Sequence, residues 1–434
     1  MFEVFRNAWK LPDLRKKVLY TLFIILIFRL GASIFVPFLD SNAIAGILGT
    51  NQTDGNLFKY WDAMTGGSLS QGTLFAMSIT PYINASIIIQ LLTVAIKPLE
   101  RLAKEGDEGR KKLNKINKLV ALGLAIFQAV AFYITLRNGG AVHYKSGFEG
   151  VLAAITIVAC FVAGASLIIW LGDQISEKGI GNGISMILFA GIVSRMPNDI
   201  YGLVMTMQAG ELKNVILVPI ILVIYVAMIT LVVLMTNAER KIPVQYAKRV
   251  VGRKMYGGQS TYIPIKVAMT GVMPIIFAMS IMSLPSTICY FFHIDGRGTS
   301  FWDGFVRLFS TSSWLYALLY FLLIIGFNYF YVAITYNPIQ IANDLKKNNG
   351  AIPGYRPGQP TADFINNSLT KVTLIGAIFL GFIAIFPIIF QNVSGITGLS
   401  LGGTTILIVV GVALETMRSL ESQMMMRHHK GFLE

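Results

Sequence analysis

Residues 151–172 read VLAAITIVACFVAGASLIIWLG. No Asp, Glu, Lys or Arg interrupts the stretch, and a helix of about 20 apolar residues crosses the hydrocarbon core of a bilayer. Backbone polar groups find no water in lipid, so such a segment must bond them within its own helix. Nine similar runs lie on either side, at 18–36, 74–96, 118–136, 183–196, 214–235, 267–289, 314–336, 372–390 and 402–417. Two of them, 183–196 and 402–417, are short. The whole chain agrees with this stretch. Of 434 residues, 54% are hydrophobic and 13% are charged, and the mean hydropathy is +0.63. Soluble domains carry about 25% charge. An ordinary soluble enzyme, a disordered chain and a disulfide scaffold are therefore poor fits. The expected fold is an all-α membrane protein of ten transmembrane helices.

Charge gives the orientation. The net charge is +14, from 36 Lys+Arg and 22 Asp+Glu. If the N-terminus lies inside, the segments on that side hold 28 of the 36 positive residues and those outside hold 6, with Arg29 within the first run and Arg195 at the end of the fifth. Positive residues concentrate on the cytoplasmic side of membrane proteins, so both termini are expected in the cytoplasm. Arg6, Lys10, Arg15, Lys16 and Lys17 ahead of Val18–Phe28 imitate a secretion signal. No small-residue cleavage site follows, and the run reads as an uncleaved first span.

Three inside segments stand out: KPLERLAKEGDEGRKKLNKINK (97–118), NAERKIPVQYAKRVVGRKMYGGQSTYIPIK (237–266) and NPIQIANDLKKNNGAIPGYRPGQPTADFINNSLTK (337–371). The last two exceed what a connector needs, and long loops inside compact proteins are usually functional. Their basic, Gly, Pro and Tyr content suits the docking of a cytoplasmic partner. Outside, LFKYWDAMTGGSLSQGT (57–73) is too polar to span. It reads as a short amphipathic helix broken at Gly66-Gly67, or as an interfacial helix lying on the membrane surface. Five runs followed by five would give the two halves inverted orientations, the geometry of inverted repeats.

The apolar runs carry no chemistry of their own. Arg29 is the one ionisable residue near the middle of a run, and Glu415 lies near the inner end of the last; the bland reading of Arg29 is a buried side chain bonded to carbonyls of neighbouring helices. Coupled carriers usually need intramembrane carboxylates or histidines. No Gly-Lys dipeptide occurs, so there is no phosphate-binding loop. No metal spacing is made by His143, His293, His428 or His429, or by Cys160 and Cys289, and no nucleophile motif is visible. No cofactor is expected. Among the polar residues within runs are Asn84, Gln90, Gln128, Ser280 and Ser283; interhelical bonds between such groups are worth about 0.6 kcal/mol each. Pro81 and Pro274 are expected to kink the second and seventh helices. A channel fits best; the rival, a secondary transporter for a small solute, is disfavoured by the missing carboxylates and the long basic loops, and an intramembrane enzyme lacks any catalytic constellation.

Four stretches carry a family resemblance. MTGGSLSQGTLFAMSITPYINASIIIQLLTV (64–94), WLGDQISEKGIGNGISMILFAGIV (170–193), NPIQIANDLKKNNGAIPGYRPG (337–358) and GGTTILIVVGVALET (402–416) are similar, in the same order, to segments of the SecY family of bacterial protein-conducting channels. That resemblance implies ten helices in two pseudo-symmetric halves, 1–196 and 197–434, around a central hourglass pore. It implies an apolar ring of Ile79, Ile83, Ile184, Leu188, Ile276 and Ile408, with Leu188 a departure from isoleucine. Branched alkyl groups offer a moving chain no hydrogen bonds, and they gate a narrow neck by dewetting. The resemblance makes 57–73 a plug containing Tyr60, Trp61, Met64, Gly66 and Gly67. It places a lateral gate between helices two/three and seven/eight, with Asn84, Gln90, Gln128 and Ser280 at the seam. It assigns motor or ribosome docking to loops 236–266 and 337–371, through Arg240, Lys248, Arg249, Lys346, Lys347 and Arg356; AERKIP (238–243), with Arg240 and Lys241, departs from the family's pattern there. The implied partners are the small membrane subunits SecE and SecG, the motor ATPase SecA, the ribosome, signal-bearing polypeptides and the lipid bilayer of a bacterial plasma membrane.

Overall fold

The computed structural model describes residues 6, 9–50, 62, 65–144, 147–208, 212–246, 249–251, 254–256, 260–269, 271–291, 313–394 and 403–430. Ten helices lie over the ten apolar runs. They are α1 (Pro12–Gly31), α3 (Thr80–Ala95), α5 (Asp107–Asn138), α6 (Gly147–Lys178), α7 (Gly183–Gln208), α8 (Leu212–Asn237), α9 (Met273–Phe291), α10 (Trp314–Thr335), α12 (Gln359–Ser394) and α13 (Gly403–Lys430). Three shorter helices accompany them: α2 (Ser41–Thr50), α4 (Lys97–Lys104), bent 102° away from α3, and α11 (Pro338–Lys347). Among the described residues, helices α5, α6, α8, α10 and α12 are long and apolar enough to cross a membrane unaided. Of the other five, α1, α3, α7 and α13 share one buried cluster. Helices that face one another rather than lipid need less hydrophobicity, which is why the runs at 183–196 and 402–417 look short although their helices extend to Gln208 and Lys430. The expected half-boundary after residue 196 falls inside α7, which continues through Pro197.

Local chemistry sets the helix starts. The Asn337 side chain accepts from the backbone N–H of Ile339 and Gln340, both at 3.2 Å, ahead of Pro338. Ser313 caps α10 through the N–H of Leu315 at 3.3 Å. Such caps satisfy donors that a helix leaves orphaned. Pro81 and Pro274 correct an expectation. Each is the second residue of its helix, where proline's missing N–H and fixed φ cost nothing, so neither kinks a span. The second helix begins at Thr80 rather than 74, because residues 74–79 form turns in which Ser78 has φ +48°.

The two largest of several apolar clusters hold the helices together. In the C-terminal half, Ile275, Tyr320, Ile324, Ile383 and Leu407 bring α9, α10, α12 and α13 together; Asn328 also donates from α10 to the Thr373 carbonyl of α12 at 3.1 Å. The N-terminal half packs α5 on α3 and α6, and α6 on α7. The halves join where α7 lies along α13 and α8. On the opposite side α9 meets α3 and α5 along a thin seam. One close approach locks α6 to the turn before α3: a Cβ on Gly164 would overlap the Leu74 carbonyl. Gly164→Val is expected to destabilise the protein by about 2 kcal/mol, since crowding a packed core costs about 1–3 kcal/mol. Thermal unfolding in detergent would show a lowered midpoint, and an unchanged midpoint would mean that the helices can separate there freely.

The chain is not helical throughout. Loop 237–266 forms β1 (Glu239–Tyr246), β2 (Arg249–Val251), β3 (Lys254–Tyr256) and β4 (Ser260–Lys266), and the next long loop contributes β5 (Gly350–Ala351). β1 pairs antiparallel with β4, from Glu239 opposite Lys266 to Gln245 opposite Ser260. It also pairs with β5 through Gln245 opposite Ala351 and Tyr246 opposite Gly350. The expected pair of separate basic loops is therefore one folded unit. Ile242, Val244, Ile265, Leu345, Ile352, Ile365 and Leu369 form its own core.

Candidate pore, seal and docking surface

Asn182 starts the site. Its side chain accepts from the N–H of Ile184 and Ser185 at 3.1 and 3.4 Å, and the turn before it is tight enough for Gly181 to need φ +75°. This cap fixes the first turn of α7 and so the direction of Ile184 and, one turn on, Leu188. Ile79 immediately precedes α3 and is 1% exposed; Ile83 follows one turn later. Ile408 lies on α13, 2% exposed. One apolar cluster contains Ile79, Leu188 and Ile408, with Ile83 and Ile184 half-buried against it. Five of the six ring residues thus come together, from three helices. Ile276 is buried on α9 but outside that cluster. From that side Val272 packs instead, and it touches both core clusters; the Ile276 N–H donates to its carbonyl at 3.2 Å. Sequence reading missed Val272. Its one signal was an apolar residue two positions ahead of a helix-starting proline.

The outer segment packs against the same helix, α7. Tyr60, Trp61 and Met64 lie outside the described residues. From Thr65 to Thr73 the chain is turns, not helix, with Gly66 and Gly67 at φ +70° and +87°. It does not lie on a membrane surface: Asp62, Thr65, Ser68 and Leu69 are buried in the protein. The Asp62 carboxylate accepts from the Ser70 N–H at 2.7 Å and pairs with Arg195 of α7. A Cβ on Gly66 would come within 2.8 Å of the Gly191 carbonyl oxygen, so this turn fits against α7 only as glycine. Further on, the N–H groups of Val36 and Leu74 donate to the carbonyls of Gly72 and Ile34 at 3.1 and 2.9 Å, and Phe75 stacks on Phe28 at 5.6 Å. Arg29 corrects a second expectation. It is exposed rather than buried, in the last turn of α1, with its guanidinium 3.4 Å from the Gly66 carbonyl.

The seam residues Asn84 and Gln90 on α3, Gln128 on α5 and Ser280 on α9 are all half-buried. On the folded loop unit, Arg240, Lys241, Lys346, Lys347 and Arg356 are exposed. Lys248 lies outside the described residues, and Arg249 is described by backbone alone, in β2. Lys241 bonds Glu239 at 3.4 Å and lies 4.7 Å from the Tyr262 ring centre; first that bond and then the Tyr262 hydroxyl hold its amine above the usual lysine range. Burial, then the Arg418 charge, lowers Lys266. Arg356 follows the Tyr355–Phe364 ring contact at 4.2 Å, and its backbone carbonyl accepts from the Thr361 hydroxyl at 2.8 Å.

Ten long helices, with α1, α3, α7 and α13 meeting in one apolar cluster, make up the bundle. Solved structures share it: a protein-conducting channel (TM-score 0.66, 19% identity, 96% of each chain) and Sec61 in the canine ribosome–channel complex (TM-score 0.64, 19% identity, 96% of each chain). The SecY family model matches residues 73–417. Among curated relatives named protein translocase subunit SecY, that of Streptomyces scabiei is 39% identical over the full length of both chains. The Thermotoga maritima protein is 40% identical over all of this chain and 98% of its own. The chain belongs to the SecY family, a multi-pass membrane channel subunit and not an enzyme. The solute-carrier alternative finds no support among these relatives.

Proposed function

We propose that this protein is the central channel of a Sec translocon in a bacterial plasma membrane, with both termini cytoplasmic. Extended secretory polypeptides pass its waist of Ile79, Ile83, Ile184, Leu188, Ile276 and Ile408, and apolar segments leave sideways into lipid. The convergence of residues from α3, α7 and α13 on one alkyl cluster, with the turn at 65–73 packed against the same α7, supports this reading most strongly. The halves part along the thin α9 seam, with Asn84, Gln90, Gln128 and Ser280 beside the opening and the α7–α8 side as the hinge. Residues 57–73, including Tyr60, Trp61, Met64, Gly66 and Gly67, act as the plug. The folded loop unit, through Arg240, Lys248, Arg249, Lys346, Lys347 and Arg356, receives SecA or the ribosome. Its basic groups suit an acidic motor surface or ribosomal RNA phosphates. SecE and SecG complete the membrane complex. In vesicles holding this protein with SecE and SecG, a signal-bearing preprotein should become protease-protected only with SecA and ATP. Uptake of a small solute without the motor, and no protected preprotein, would overturn the proposal.

A further inference from the structure

One face of α7 joins the waist to the outer turn. Ile184, Leu188, Gly191, Arg195 and Asp199 follow one another at helical spacings of three and four and therefore share a stripe. The first two reach the alkyl cluster, the third abuts Gly66, and the last two are charged. Arg195 lies seven residues beyond Leu188, about 10 Å further along the axis. One of its terminal nitrogens pairs with Asp62, and its Nε stands 3.6 Å from Asp199 Oδ1. The three side chains are 7% (Asp62), 24% (Arg195) and 13% (Asp199) exposed. Asp62 is also the knot of its own turn: its backbone carbonyl accepts from the Gly67 N–H at 2.8 Å and the Thr65 hydroxyl at 3.0 Å.

We propose that Arg195 is a two-position latch for the outer turn. In the closed channel it is shared between Asp62 and Asp199. When the turn leaves the waist, the guanidinium passes wholly to Asp199. The proposal rests on reading 57–73 as the plug. A part-buried cation stripped of its only partner strongly resists separation. A second carboxylate on the same helix, one turn away, removes that obstacle while leaving the closed pair intact. The two aspartates therefore have opposite effects: Asp62 holds the channel shut, and Asp199 makes opening possible. An ion-pair network that merely braces the fold would give both the same sign.

The test uses the complete channel with its small subunits in planar bilayers and in vesicles with motor and ATP. Asp62→Asn is expected to raise resting ion conductance about tenfold, as loss of a close charge pair shifts an equilibrium by at least that factor. Asp62→Glu, which keeps the carboxylate, should restore the seal. Asp199→Asn should leave resting conductance at or below the parent level and slow preprotein transport at least about tenfold, the low end of what removing one member of a close charge pair does. Parental conductance in Asp62→Asn, or equal signs for the two aspartates, overturns the latch. Deletion of residues 65–70 separates the two readings. If the deletion does not leak, the plug reading fails and the latch with it; if it leaks while Asp62→Asn does not, the latch alone fails. Should Asp62→Asn not accumulate, Asp199→Asn decides: slowed transport supports the latch, and unchanged or faster transport overturns it.

Discussion

Ile408→Asp is expected to raise resting ion flux through the closed channel by on the order of tenfold or more, because an apolar constriction blocks ions by excluding water and a carboxylate brings water back. Ile408 is 2% exposed and shares its cluster with Ile79 and Leu188, so a charge there has no lipid or bulk solvent to turn to. Ile83→Asp, half-buried against the same cluster, should leak in the same direction but less. Conductance across planar bilayers measures both. Phe382→Ala serves as the control, at a side chain 58% exposed on α12; it should leave the flux at the parent value. A tight Ile408→Asp channel would mean that the cluster is ordinary helix packing and that the path for polypeptide lies elsewhere.

Arg356→Glu should lower motor-driven preprotein transport by about tenfold at limiting motor concentration, since placing like charges against each other across an interface costs several kcal/mol and each 1.4 kcal/mol is a factor of ten. The side chain is exposed, and the turn is held by its backbone carbonyl and the Thr361 hydroxyl rather than by the guanidinium. Folding should therefore be nearly untouched, as exposed substitutions away from special features change stability by about 0.5 kcal/mol or less. Transport rates and the yield of membrane-inserted protein, measured side by side, separate the two effects. If both fall together, Arg356 is a structural residue and the docking assignment fails at its best-placed position.

Much of this could be read from the residues. Charge-free runs such as 151–172 announce helices because lipid leaves the backbone no alternative, and the Lys and Arg bias orients them. The sheet was harder to see. Ile242 and Val244, and Ile263 and Ile265, alternate as strand residues do, but Pro243 and Pro264 lie between them and argue against a strand. The structure accommodates Pro243 because β5 reaches only Gln245 and Tyr246, leaving that edge of β1 open. The Asp62–Arg195 pair joins residues 133 positions apart, and no periodicity links them. Its trace was local: an aspartate in an otherwise uncharged turn, and Arg195 and Asp199 one helical turn apart where the apolar run 183–196 ends. The waist residues looked like any isoleucines in any span; proximity in three dimensions, not residue type, sets them apart.

The three-stranded sheet has a mechanical meaning. β1 leaves the end of α8, β4 leads into α9 after residues 267–272, and β5 stands between α11 and α12. Cross-linked by backbone bonds, these strands tie the ends of those helices into one plate. If a partner grips the Arg356 turn as proposed, a pull there reaches α8, α9, α11 and α12 together through these backbone bonds, without contact at the α9 seam.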